Sequence, residues 1–292
     1  TRRIREMSPV KISIAGNIFH PDEGEQLLKE GVVDFIELGR PLLADPDFVK
    51  KVYEGAESTI RPCLNCNRCR FETAQKRPIK CTVNPFLGRE AAEEPGESNH
   101  RKKVAIIGGG PAGIQAAIQL SKMGHQGVIF EKEDRLGGLL WPADTAPCKE
   151  RMEQFITFLL GQVEKANFEI KTGYAIEANK IEDFTADSWD AVVLATGAKP
   201  YQLKTIAPDC PNVYMASDVL REKRLFKGTV VILGGGQVGC EVADFLSENG
   251  VDQVVLMATS PKIAANVIPQ ERGPLLKRMG EKGVRVLINA SA

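Results

Sequence analysis

The hydrophobic pattern changes period several times along the chain, and each change marks an element. "VKISIAG" (10–16) is a β-branched run closed by Gly16, and "PDEGEQLLKEG" (21–31) has the spacing of a short helix stopped by Gly31. "VDFIELG" (33–39) repeats the strand pattern and "DPDFVKKVYEG" (45–55) the helical one. The first sixty residues therefore read as strand, helix, strand, helix, with a β-type run starting almost at once. Parallel strands are normally buried on both faces, so these two want neighbours beyond their own βα units. From Lys103 the pattern becomes strand, tight glycine turn, helix, strand: "KVAIIGGGPAGIQAAIQLSKMGHQGVIFEK" (103–132). Residues 151–165 follow as an amphipathic helix, and "FEIKTGYAI" (168–176) and "DAVVLATG" (190–197) as strands, with Phe130, Phe155 and Phe158 on core-facing positions.

At Gly228 the pattern restarts with "GTVVILGGGQVGCEVADFLSENGVDQVVLM" (228–257). Val104–Glu131 and Val230–Met257 align without a gap, which makes this an internal duplication of a βαβ unit. The stretch 88–103, "GREAAEEPGESNHRKK", is polar and non-periodic and reads as a linker. The chain opens at Thr1 and closes on "VRVLINASA", a strand just begun, so the expectation is an internal piece of a longer protein.

Composition narrows the class. Lys+Arg and Asp+Glu number 38 each among 292 residues, a balance that speaks against a general binder of nucleic acid or acidic membranes. No apolar run reaches the ~18 residues of a membrane span, and "TRRIREMSPV" lacks the apolar core of a signal peptide. The reading is a cytoplasmic chain with reduced thiols, in which clustered cysteines bind metal rather than pair.

Chemistry concentrates in three places. In Gly108-x-Gly110-x-x-Gly113, the first glycine permits the strand-to-helix turn, the second lets backbone approach a pyrophosphate, and the third lets helix pack on strand. The anion then sits at the helix N-terminus, and Glu131, at the end of the next strand, is placed to accept from ribose hydroxyls. Gly234, Gly236 and Gly239 repeat the motif, but the alignment puts Met257 where an acid would stand, followed by Ala258, Thr259 and Ser260. Without that acid a 2′-phosphate is not repelled, and Ser260 and Lys262 favour one slightly, so NADH and NADPH both stay open. Four of the seven cysteines, Cys63, Cys66, Cys69 and Cys81, fall within "CLNCNRCRFETAQKRPIKC". Three at turn spacing plus one farther off favour an iron–sulfur cluster over zinc, which more often takes two separated C-x2-C pairs. Cys240 reads as a packing residue, and His20, His100 and His125 as scattered surface residues outside any triad. Finally, "ELGRPLLADPDF" places Gly39 and Arg40 after a strand, where the last loops of a TIM barrel often hold phosphate.

The order of strand–"GRPLLADP", "RPCLNCNRC", "VNPFLGRE", "GGGPAG" and "ATG" closely resembles the NADH:flavin oxidoreductases of the old yellow enzyme type with a C-terminal extension, among them 2,4-dienoyl-CoA reductase, enoate reductases and trimethylamine dehydrogenase. The resemblance spans essentially the whole chain. It implies an α/β fold: the C-terminal end of an FMN-binding TIM barrel (1–60), a 4Fe–4S segment and linker (61–100), an FAD-binding domain (101–226) and an NAD(P)H-binding domain (227–292), the barrel and both nucleotide domains incomplete. It implies FMN phosphate near Gly16, Asn17, Gly39 and Arg40, and the 4Fe–4S cluster on Cys63, Cys66, Cys69 and Cys81. FAD would lie on Ala112, Glu131, Leu139 and Lys149, with a backbone contact near Ile176 and the "ATG" ending at Gly197 as its second stretch. Trimethylamine dehydrogenase holds ADP at the equivalent of that site. The implied reaction takes a hydride from NAD(P)H to FAD, passes electrons singly through the cluster to FMN, and reduces an activated C=C bond of an unsaturated small molecule. The alternatives are an amine dehydrogenase of the same family and a cofactor-holding piece without turnover of its own. The acid–base residues that act on substrate would lie in barrel strands outside this chain.

Overall fold

The fold is given by a computed structural model, which describes residues 1–7, 9–90, 96–177, 179, 181, 184, 189–201 and 210–291. The chain divides into two compact units, Thr1–Glu93 and Glu94–Ala292.

The first unit opens with a helix, α1 (Arg2–Met7), where the hydrophobic pattern suggested early strand. Two short strands, β1 (Ser13–Ala15) and β2 (Phe35–Glu37), then pair in parallel with Ala15 opposite Glu37. Between them runs α2 (Pro21–Lys29). Its start is fixed by a reciprocal cap: Glu23 accepts from the backbone N–H of His20 at 2.9 Å, while His20 Nδ1 accepts from that of Asp22 at 3.4 Å. Ile12, Val32 and Val33 form the small core under this sheet. After β2 come α3 (Arg40–Ala44), a short helix not separated in the sequence reading, and α4 (Phe48–Tyr53). The cysteine segment carries α5 (Arg68–Ala74).

The second unit holds two parallel sheets. The first contains β3 (Lys103–Ile107), β4 (Gln126–Phe130), β5 (Phe168–Lys171) and β6 (Ala191–Leu194) in the order β5-β4-β3-β6. The chain runs outward from β3 to β5 and then returns to the other side of β3. A topological switch point therefore lies beside β3, where open α/β sheets form their ligand crevice. Among the described residues, three helices accompany this sheet: α6 (Pro111–Lys122), α7 (Leu140–Asp144) and α8 (Arg151–Val163). Phe130, Phe155 and Phe158 are buried as expected. His125 is buried too, a correction to its surface reading: its Nδ1 accepts the Lys102 N–H, a structural role.

After α9 (Ala216–Arg221) the second sheet begins: β7 (Thr229–Leu233), β8 (Gln253–Met257) and β9 (Arg285–Leu287), in that order. It has its own crossover helix, α10 (Gln237–Glu248), and a second helix, α11 (Pro269–Glu281). Val242, Phe245 and Leu246 recur at helical spacing on α10 and fill the core with Leu256, Leu275 and Met279. The duplicated units are thus two separate βαβ folds.

Strand register corrects the gapless alignment by one residue. Ile107 pairs with Phe130 in the first unit, but Leu233 pairs with Met257 in the second. Asp252 is the insertion: its carboxylate accepts the Gly228 N–H at 2.7 Å and ties the turn to the start of β7. The counterpart of Glu131 is therefore Ala258, not Met257. Each follows a strand end and donates its backbone N–H across the sheet, Glu131 to Lys171 and Ala258 to Leu287.

Candidate functional site

At the first glycine turn the three glycines occupy three different environments. Gly108 has φ +109°, and a Cβ there would stand 2.3 Å from the Ala195 carbonyl oxygen of the "ATG" stretch. A Cβ on Gly113 would lie 1.9 Å from the Gly108 carbonyl oxygen, so helix and turn touch through glycine alone. Over Gly110 nothing lies within 4 Å of the added Cβ. That open space adjoins the N-terminus of α6, where free N–H groups favour an anion. Ala112 is exposed on the first turn of the same helix. The residues present fit a dinucleotide pyrophosphate.

Glu131 closes this turn. Its side chain is buried; Oε2 accepts the Gly109 N–H at 2.6 Å and Oε1 the Glu133 N–H at 2.9 Å. A carboxylate offers about four acceptor positions, so two backbone bonds still leave capacity for a ribose. A loop that the motif reading missed completes the site. Gly137 donates its N–H to the Gly109 carbonyl at 2.8 Å, and a Cβ on Gly138 would approach Gly110 Cα to 3.1 Å. The Gly-Gly pair in "RLGGLL" was its sequence signal. Leu139 follows it, half-exposed. Gly197 lies past the end of β6 with φ +69°. Ile176 packs with Ala105, Val128 and Phe130 on the sheet. Lys149 Nζ pairs with Glu241 on α10 at 2.6 Å.

The second turn repeats the first. Gly234 has φ +113°, and a Cβ on Gly239 would lie 1.9 Å from the Gly234 carbonyl oxygen. Ala264 donates to the Gly235 carbonyl at 2.6 Å, as Gly137 does to Gly109, although Ala264 is not glycine and holds φ +50°. By the same register Asn266 matches Leu139, and its Oδ1 accepts the Gln237 N–H at 3.1 Å. A cavity lined by Gly234, Gly236, Ala258, Ser260, Lys262 and Asn266 opens here. No carboxylate is among its lining residues. Cys240 is buried beneath the turn, as its packing reading required.

In the first unit, Gly16 and Asn17 leave the C-terminal end of β1 with positive φ, while Gly39 and Arg40 leave the same end of β2. Added Cβ atoms on Gly16 and Gly39 meet nothing within 4 Å.

Cys63, Cys66, Cys69 and Cys81 line one small cavity, all four as free, half-buried thiols. Burial pushes the Cys63 thiol up, against the Asn65 N–H; Cys66 and Cys81 add to the rise and Arg40 opposes it. Burial also raises Cys81, against the N–H groups of Val83 and Asn84. Among the described residues no three His, Cys, Asp or Glu side chains are placed to hold a single ion. Four thiols lining one cavity, with backbone N–H groups toward Cys63 and Cys81, are a donor set that an iron–sulfur cluster can use.

The profile of the pyridine nucleotide-disulphide oxidoreductases matches residues 102–292. Over 288 residues the chain is 36% identical to an NADH oxidase of Thermoanaerobacter brockii, covering 96% of this chain and 44% of that protein. Over 273 residues it is 34% identical to a cinnamate reductase of Clostridium sporogenes, covering 93% and 39%. Among solved structures it superposes on a 2-naphthoyl-CoA reductase bound to 2-naphthoyl-CoA with a TM-score of 0.91 and 27% identity, covering 99% of this chain and 44% of that one. The chain thus spans less than half the length of these relatives. No helix among the described residues is long and apolar enough to cross a membrane.

Proposed function

The chain belongs to the pyridine nucleotide-disulphide oxidoreductase family, and we propose that it serves, within a longer protein, an NAD(P)H-dependent reductase of activated C=C bonds that uses FAD, a 4Fe–4S cluster and FMN. When bound, these groups supply hydride transfer, a change from two-electron to one-electron traffic, and single-electron conduction.

The residues of this chain do the placing. Gly110 and the N-terminus of α6 receive one pyrophosphate, with Glu131 holding the loop and the ribose. Gly236 and the N-terminus of α10 receive the other. Ala258, Ser260 and Lys262 leave a 2′-phosphate unrepelled. Cys63, Cys66, Cys69 and Cys81 supply the cluster thiolates; Gly16, Asn17, Gly39 and Arg40 hold the phosphate of FMN.

The observation that carries the reading is the combination of two nucleotide turns with a four-cysteine cavity in one chain. Relatives named NADH oxidase and cinnamate reductase support the direction of flow and the C=C substrate class. The test uses the full-length protein under anaerobic conditions. NAD(P)H oxidation should depend on an added α,β-unsaturated acid or thioester. Oxidation that depends on no such acceptor, together with amine-driven flavin reduction, would favour the amine dehydrogenase reading instead.

A further inference from the structure

We propose that Arg40 is a positioning residue for the cysteine loop: it anchors the loop through Asn65 and Asn67 and keeps a fixed positive charge beside the cluster. The inference rests on the cluster reading above and goes beyond the phosphate role that resemblance gives this arginine.

Asn65 stands between Cys63 and Cys66, and Asn67 between Cys66 and Cys69. Both hold left-handed backbone, with φ +55° and +54°. Non-glycine residues take that conformation rarely, and asparagine is among the few that tolerate it. Two such residues two positions apart bend the loop so that its cysteines face one cavity. Both asparagine side-chain oxygens accept from the same Arg40 nitrogen, Nη1, at 2.9 Å for Asn67. Asn67 in turn donates from Nδ2 to the Asn65 carbonyl at 3.0 Å. The guanidinium lies over the Phe19 ring, 5.1 Å from its centroid, and Phe19 is buried. Arg40 is therefore fixed from one side by an aromatic face and from the other by both asparagines. It lines the same cavity as the four cysteines.

Two consequences follow from this geometry. First, the turn that presents three of the four thiols depends on a side chain from the first residue of α3, outside the cysteine segment. Second, arginine stays protonated under all ordinary conditions, so the cavity carries a permanent positive charge. Reduction adds an electron to a cluster, and a nearby positive charge stabilises the reduced form, because net charge and hydrogen bonds to sulfur set cluster potentials. Lysine would keep the charge but lacks the planar guanidinium that lies over the Phe19 ring.

The experiment compares full-length wild type with Arg40→Met, Arg40→Lys and the double variant Asn65→Gly/Asn67→Gly, all prepared anaerobically. Glycine retains the left-handed backbone at no steric cost while deleting the acceptors. The midpoint potential is read by EPR-monitored titration, and cluster loss by its rate in a chelator. Arg40→Met should lower the midpoint at unchanged iron and sulfide content, with Arg40→Lys closer to wild type. The double glycine variant should lose iron faster than wild type with flavin retained. A wild-type midpoint and spectrum in Arg40→Met, with or without loss of FMN, overturns the proposal. If Arg40→Met fails to fold, an unchanged rate of iron loss in the double variant overturns it on its own. Wild type devoid of iron and sulfide would sink the cluster reading itself, which separates the two failures.

Discussion

Glu131 Oε2 accepts the backbone N–H of Gly109 at 2.6 Å, joining the end of β4 to the middle of the glycine turn after β3. The acid that the motif assigns to a ribose is therefore also a structural clasp. Removing it with Glu131→Ala leaves a buried N–H without its partner, at a cost of about 1.5–3 kcal/mol. We expect lower thermal stability and less bound flavin in the purified protein. Glu131→Gln keeps an acceptor oxygen and should fall between the two. Stoichiometric flavin in Glu131→Ala would show that the first site takes its adenosine without this carboxylate.

Ala258 gives the second turn no such clasp and no acid toward the 2′ position. Lys262, on the rim of that cavity, supplies one exposed charge. Its worth is about 1 kcal/mol by the usual range for solvent-screened pairs, which is less than tenfold in affinity. NADPH should bind slightly more tightly than NADH, and Lys262→Ala should erase the difference without weakening NADH. Calorimetric titration with NADP⁺ and NAD⁺ checks both statements. A preference for NAD⁺ above about a hundredfold contradicts them.

Lys149 and Glu241 join the two nucleotide units through a partly buried pair, with side chains 26% and 12% exposed. Gln237 also donates to this Glu241 oxygen at 2.9 Å. A double-mutant cycle with Lys149→Met and Glu241→Gln should give a coupling of about 1 kcal/mol in unfolding stability. Flavin content in Lys149→Met should match wild type, since the lysine faces α10. A coupling near zero combined with lost flavin would return Lys149 to the cofactor role that resemblance gave it.

Burial pushes the Cys240 thiol up to about 11, with the Ala264 N–H and Arg272 opposing and Glu241 adding to it. An unfolded cysteine titrates near 8.5. Between these values the unfolded chain releases the proton and the folded one retains it. The stabilising contribution is therefore complete below the lower value and lost as pH rises toward the upper one. Urea unfolding at about pH 8 and pH 11 should show wild type losing on the order of 1 kcal/mol more than Cys240→Ala. Parallel losses in the two proteins would refute it.

Much of this was legible in the sequence, and the failures have physical causes. The glycine motifs were readable because a turn at φ above +100° and a helix packed against it admit almost nothing else at Gly108, Gly113, Gly234 and Gly239. The buried phenylalanines followed from periodicity. The position of the missing acid was off by one because Asp252 is inserted in a turn, where no hydrophobic period constrains length; only strand pairing reveals it. Ala264 was hidden because it does the work of Gly137 with a side chain, so the second loop carries no glycine signal. The clasp between Glu131 and Gly109, the pair between Lys149 and Glu241, and the anchoring of Asn65 and Asn67 by Arg40 join positions far apart in the chain. Local pattern holds no information about such contacts.

The central claim is that Cys63, Cys66, Cys69 and Cys81 hold an iron–sulfur cluster in a flavin oxidoreductase. Iron, acid-labile sulfide and zinc are to be measured on full-length protein purified without oxygen, alongside Cys81→Ala and Cys240→Ala. The account predicts iron and sulfide in equal amounts, about four of each per chain for a cubane, in wild type and Cys240→Ala, and their loss in Cys81→Ala. One zinc per chain with no sulfide in wild type would contradict it.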